Sequence, residues 1–230
     1  MDSLPQELID KIIGNISHSS LHSCSLVARR WRRGSQQRDF AYVTFSSEHD
    51  LILWCTRIPQ DQGDIPSYVR SVQFESILSW CEPALFGRVL KEFTLLTELW
   101  IFDTVIPRPD QLPSSETFGE FGKAVDSLTL LSPRCTVTTI TSLILSFPNL
   151  EELLFVGEAL KEPVAVLLHT LQRRPLVSLE IYGVESGVGV ALAQCGLTSR
   201  KLSLTVYDAG LEQLLTLSSE VVVELELTGV

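Results

Sequence analysis

Four histidines, five cysteines and a few close carboxylates are the side chains in this 230-residue sequence best suited to chemistry, and their spacing leaves them little to do. His18 and His22 stand four apart, a separation that can put two metal ligands on one helical face, but no third ligand lies near them and the pair straddles Ser19-Ser20, which reads as a helix start. His49 and His169 stand alone. Glu151 and Glu152 are adjacent and would face opposite sides of a strand; Glu224 and Glu226 would share one face turned to water. Neither pair presents an acid and a base to one substrate. Gly183-Val184-Glu185-Ser186-Gly187 carries its serine one place too late for a nucleophile elbow, and in Gly187-Val188-Gly189 the third glycine of a dinucleotide loop is replaced by Leu192. Both read as a turn before a helix. No catalytic constellation is present, so the expectation is a protein that is not an enzyme and uses no metal or cofactor.

Composition narrows the class further. Cys24, Cys55, Cys81, Cys135 and Cys195 are odd in number and widely separated, the pattern of reduced intracellular thiols. The start, Met1-Asp2-Ser3, has no basic region followed by an apolar block, and no apolar run approaches the ~18 residues of a membrane span. No membrane contact is expected, and cytoplasm or nucleus is the expected location. Formal net charge is -10, unevenly spread: residues 1–40 hold 6 Lys+Arg against 4 Asp+Glu, which leaves 12 against 24 and a charge of -12 for the rest. Most of the surface should therefore repel phosphate backbones.

Binding is what remains, and two kinds of element must carry it. From Ser3 to Phe40 the pattern is helical. Ser3 can cap a helix with Pro5 in its first turn and Gln6 completing a capping box, and Leu4, Leu8, Ile9, Ile12, Ile13 and Ile16 recur at helical spacing over more than one seam. Ser19-Ser20 offers the next cap; Leu21, Cys24, Leu26 and Val27 continue the apolar face, and Trp31 and Phe40 close the unit. A unit of about 40 residues is too small to bury all of this alone.

The blocks Leu4-Pro5-Gln6-Glu7-Leu8 and Cys24-Ser25-Leu26-Val27-Ala28-Arg29-Arg30-Trp31 resemble an F-box of a divergent, fungal-type kind. The resemblance implies docking to a Skp-type adaptor within a Skp-cullin ubiquitin ligase complex. It further implies that Leu4, Pro5, Leu8, Ile12, Ile16, Leu21, Cys24, Leu26, Val27 and Trp31 face the adaptor or support the helices that do. Two other readings are a plain helical cap on the following domain and a helix-turn-helix. The second would bind nucleic acid through Arg29, Arg30, Arg32, Arg33 and Arg38.

After Phe40 the pattern apolar-x-x-apolar-x-apolar recurs, centred on Val43, Val72, Leu99, Leu128, Leu153, Leu179, Leu202 and Leu225. Separations of 29, 27, 29, 25, 26, 23 and 23 residues between these positions fit a leucine-rich repeat. Helical stretches at Ala84–Phe93, Val137–Phe147, Val164–Arg173, Val188–Gln194 and Leu211–Leu217 can return the chain for parallel neighbours. The block Phe147-Pro148-Asn149-Leu150-Glu151-Glu152-Leu153 most resembles that family. The consensus Asn position holds Ile77, Thr104, Pro133, Glu158, Val184 and Tyr207 instead, so no asparagine ladder can form and the turns need other backbone partners. The match is weakest around Val72 and Leu202.

Between the two regions, Ser46 to Ser67 reads as a linker whose amphipathic piece stops at Pro59, followed by a solvated Gln60–Asp64 loop; Pro107 to Glu116 reads as a long irregular insertion. The expected fold is α/β: an F-box over residues 1–45, then an irregular leucine-rich-repeat-like solenoid with a parallel sheet over 46–230. An ordinary parallel α/β sheet is the alternative. On the concave face the alternating residues should gather Trp100, Phe102, Leu131, Leu154, Val156 and Tyr182 into an apolar patch, rimmed by Glu75, Glu98, Glu152 and Glu180, that takes a protein substrate. The function so read is substrate receptor of a Skp-cullin-F-box ligase. The alternatives are a repeat protein with no ligase role and a nucleic-acid binder.

Overall fold

The computed structural model of the chain describes residues 4–61, 64–76, 83–104, 106, 124–133, 135–157, 174–182, 188, 192–193, 196–205 and 211–228. Three helices come first: α1 (Gln6–Asn15), α2 (His18–Val27) and α3 (Arg29–Asp39). They close over Ile9, Ile13 and Leu21, with Leu4, Ile16 and Trp31 packed against these. Gly34 of α3 sits so near α1 that a Cβ there would lie 3.0 Å from Ile13 Cδ1. Arg38 Nη1 donates to the carbonyls of Ile13 and Ile16, the latter at 2.7 Å, which satisfies the C-terminal end of α1 and ties α3 to it.

The helix starts differ from the sequence reading. Pro5 is the N-cap of α1 rather than part of its first turn, its carbonyl accepting from the N–H groups of Leu8 and Ile9 at 3.2 Å. It makes no side-chain cap, and Ser3 lies outside the described residues. A proline fits either place because its missing N–H is not needed there. Helix α2 is capped at Ser17, not at Ser19-Ser20; the Ser17 hydroxyl meets those of Ser20 and Ser19 at 3.0 and 3.3 Å.

Eight strands then form one sheet, parallel throughout and in chain order: β1 (Tyr42–Phe45), β2 (Ser71–Glu75), β3 (Glu98–Phe102), β4 (Ser127–Leu131), β5 (Glu152–Val156), β6 (Arg174–Tyr182), β7 (Leu197–Thr205) and β8 (Glu224–Thr228). Register links Val43, Val72, Leu99, Leu128, Leu153, Leu179, Leu202 and Leu225 across the sheet, the same positions that the apolar spacing picks out. Val72 and Leu202 pair like the rest. A mixed α/β fold with an eight-stranded parallel sheet is thus present.

One face of the sheet is packed by helices α4 (Glu48–Asp61), α5 (Pro83–Glu92), α6 (Val137–Leu145) and α7 (Leu211–Ser218) into a single continuous core. Three of the expected helical stretches correspond to α5, α6 and α7; Val188, Leu192 and Ala193 are helical, and Val164–Arg173 lies outside the described residues. The segment read as a linker is part of this core. Helix α4 continues past Pro59 to Asp61, and Leu51, Trp54 and Cys55 are buried. The Trp54 ring meets those of Phe45 and Phe93 edge-on at 5.6 and 5.2 Å. A helix-interior proline costs about 3 kcal/mol, whereas each large apolar side chain buried gains about 1.5–3 kcal/mol, so burial outweighs the break. The 3-10 turn Ile65–Tyr68 adds Ile65 to the same core.

Backbone ladders replace the missing asparagines. Just past four strands, Ser76, Asp103 and Ser132 have φ of 52°, 37° and 47°, and Gly157 has φ of 120°. Their N–H groups donate to Phe102, Leu131, Val156 and Tyr182 carbonyls at 2.9, 2.9, 2.6 and 3.0 Å, extending each strand pair by one bond. Thr104, at an expected Asn position, is buried and donates from Oγ1 to the Phe102 carbonyl at 2.6 Å. Pro133 is buried, and Ile77, Glu158, Val184 and Tyr207 lie outside the described residues. At the other end of the sheet β8 is an edge strand, with Leu225 and Leu227 half exposed.

Candidate functional site

Two surfaces are candidates for binding, and the first belongs to the helical module. Leu8 and Ile12 of α1 are 48% and 40% exposed, and Leu26 and Val27 at the end of α2 are 69% and 62% exposed. Pro5 is exposed as well, and Cys24 is half-buried. Leu8, Ile12 and Ile16, with Lys11 and Asn15, line a shallow hollow of about 480 Å³. Leu26 lines a separate groove of about 620 Å³, walled by Arg32 and Phe40 on one side and by Ile65 and Tyr68 on the other.

Not every expected docking residue is available. Leu21 is fully buried and forms the centre of the module, so it supports the helices and cannot touch a partner. Leu4, Ile16 and Trp31 are half-buried against that centre. Ile9 and Ile13, one position after Leu8 and Ile12, take the inward side. An apolar pattern wider than one seam says that two faces exist, but nothing in its spacing says which is inside.

All five arginines on α3, Arg29, Arg30, Arg32, Arg33 and Arg38, are exposed, and Arg38 also caps α1. His18 and His22 both lie on α2, and His18 Nε2 is 3.9 Å from Asp39 Oδ1. Among the described residues no three His, Cys, Asp or Glu side chains gather as a metal site, and no helix is long and apolar enough to cross a membrane. The segments Gly183–Gly187 and Pro107–Glu116, together with His169, Cys81 and Cys195, lie outside the described residues.

The second surface is the sheet face opposite the helices. Trp100, Phe102, Leu131, Leu154, Val156 and Tyr182 are all half-buried there. Register brings Phe102, Leu131, Val156 and Tyr182 side by side on four neighbouring strands. One step back along the strands run Trp100, Thr129, Leu154 and Glu180. The Trp100 and Phe102 rings stack with centroids 6.2 Å apart at 9°. Tyr182 Oη is 2.9 Å from Ser203 Oγ and donates weakly to Glu180 at 3.3 Å, while Ser203 Oγ donates to Glu226 at 3.3 Å. That polar chain is not legible in the sequence, because it joins three strands.

Ser71, Thr129 and Ser203, which strand alternation puts on this same face, are buried. They are short, and taller neighbours on the adjoining strands close over them. The effect is relief: Trp100, Thr129, Glu152, Leu154 and Glu180 line a trough of about 420 Å³. Just before β4 the exposed Asp126 has a carboxyl held above the usual range by partial desolvation and by repulsion from Glu151 and Glu98. Glu98, Asp126, Glu151 and Glu152 gather carboxylates at the starts of β3 to β5, with Arg70 just before β2 and Arg200 on β7 to either side.

Residues 1–38 match the F-box-like family model, which spans α1, α2 and nearly all of α3. No curated protein matches the chain. F-box-like domains generally bind Skp-type adaptors, so the module points to an adaptor-binding role in ubiquitin ligase complexes.

Proposed function

We propose that the chain is a substrate receptor of a Skp-cullin-F-box ubiquitin ligase: it binds and does not catalyse. The helical module docks the adaptor, and the parallel sheet, read as a divergent leucine-rich repeat, holds a protein substrate on its open face. The observation that carries this reading is the set Leu8, Ile12, Leu26 and Val27, large apolar side chains left in water by a module that matches the F-box-like family. Covering them with a partner gains about 25 cal/mol for each Å² of apolar surface removed from water. The in-register repeats and the Trp100/Phe102 stack support the substrate half, since aromatic anchors dominate most protein interfaces.

Co-expression with a Skp-type adaptor tests the reading. A stable complex on size exclusion is the expected result, and a chain that elutes alone at micromolar concentration contradicts it. The nucleic-acid alternative has little support, because the five exposed arginines of α3, one of them engaged with α1, precede a region of net charge -12.

A further inference from the structure

The trough on the open sheet face has a shape and a charge pattern that together select one kind of guest. Its lining reaches from Trp100 of β3 across β5 and β6 to Lys201 of β7, and it is lowest at β4, where Ser127 and Thr129 are short and Thr129 is buried. In register on either side stand Glu98 and Trp100 of β3, and Glu152 and Leu154 of β5. Each wall is therefore apolar at one level and carboxylate at the next, two residues back. Those levels are about 6.6 Å apart at strand rise, close to the length of an arginine or lysine stem.

A side chain lying in the trough would run its methylenes between Trp100 and Leu154 and bring its head between the Glu98 and Glu152 carboxylates, above Ser127. Only a long side chain with a cationic end satisfies both levels. Among the described residues that line the trough Lys201 is the one basic group, and its Nζ lies 3.7 Å from Glu224 on the strand beyond, on the side away from Glu98 and Glu152. A guanidinium suits the place better than an ammonium, because its plane can stack on Trp100 while its edges reach two carboxylates.

We infer that the open sheet face recognises an extended protein segment through an arginine side chain seated over Ser127 and Thr129, its stem between Trp100 and Leu154 and its guanidinium between Glu98 and Glu152. This rests on the open face being the substrate surface, and it adds what the substrate must present. Beside the arginine, the row Phe102, Leu131, Val156 and Tyr182 offers an apolar strip for a neighbouring aliphatic side chain.

The test uses the full chain in complex with its adaptor and two fluorescent probe peptides, each an arginine or a citrulline flanked by leucines in an otherwise serine-glycine sequence. Citrulline keeps the shape and removes the charge. The arginine probe is expected to bind at least tenfold tighter than the citrulline probe by anisotropy, to weaken with salt, and to lose at least tenfold on Glu98→Gln with Glu152→Gln. Trp100→Ala should weaken both probes, and every variant should still co-elute with the adaptor. Equal binding of the two probes, an unchanged affinity in the double glutamine variant, or no binding of the arginine probe at millimolar concentration overturns the inference. If Trp100→Ala still weakens both probes while charge has no effect, the open-face reading survives without it. If Trp100→Ala changes nothing, both fall.

Discussion

Replacing Gly157 by alanine sets the turn ladder at the strand ends against its simplest challenge. Gly157 has φ of 120°, outside what residues with a Cβ readily adopt, and an added Cβ would lie 2.9 Å from Ser132 Cα and 3.2 Å from Ser132 N. The obstacle is backbone, so no side-chain rotation relieves it. Holding an L residue in that conformation costs about 1–3 kcal/mol, and displacing a neighbouring strand end adds to this. A total loss of about 2–4 kcal/mol follows, or roughly 5–15 °C in Tm at 2–4 °C per kcal/mol for a domain of this size. Gly14→Ala is the internal control: it lies in α1 with nothing within 4 Å of where its Cβ would stand, so alanine there should stabilise by about 0.5–1 kcal/mol. Urea unfolding followed by circular dichroism measures both. A Gly157→Ala protein as stable as the parent would refute the left-handed turn and the ladder built on it.

Two further outcomes follow from the surroundings of single titratable groups. Cys55 and Cys135 are buried, and burial pushes the Cys135 thiol pKa up to about 12, so neither should react with a thiol reagent until the protein unfolds, while half-buried Cys24 labels in the native state; mass mapping of labelled peptides reads this directly, and native labelling of Cys135 contradicts the core placement. Asp126 has a folded pKa raised above 3.8, so its favourable contribution exists below the ordinary carboxylate range and is lost as pH rises through the raised value. Asp126→Asn should therefore stabilise at pH 7, with the gain shrinking toward pH 4; a variant less stable than the parent at pH 7 counts against the crowding of Asp126 by Glu98 and Glu151.

The sheet is legible in the sequence to the residue because parallel strands buried on one face repeat a single apolar signature, and that signature fixes register. The centres at Val72 and Leu202, weak by consensus, are placed as well by spacing as the strong one at Leu153. Helix starts are less legible: Ser3, Ser17, Ser19 and Ser20 are all plausible caps, and the choice depends on how α1 and α2 pack. Pro59 misleads because burial of Leu51 and Trp54 outweighs local propensity. In the helical module the pattern finds the apolar residues but not the side each one takes, so Leu21 and the exposed pair Leu26 and Val27 look alike. On the open face alternation places the six patch residues, yet side-chain height, which buries Thr129 and shapes the trough, is a property of neighbouring strands rather than of any one segment.

If exposed apolar residues of the helical module dock an adaptor, affinity for a Skp-type adaptor in a Leu8→Asp, Leu26→Asp double variant tests this most directly. Both positions are solvent-exposed in the free chain, so the fold should persist, as an unchanged circular dichroism spectrum and melting curve would confirm. Burying an unpaired carboxylate in an apolar contact costs several kcal/mol, and two such costs exceed most of the roughly 8 kcal/mol of a micromolar complex. Calorimetry should find no binding at micromolar concentration for the folded double variant and clear binding for the parent; equal affinity of the two would contradict docking through these residues.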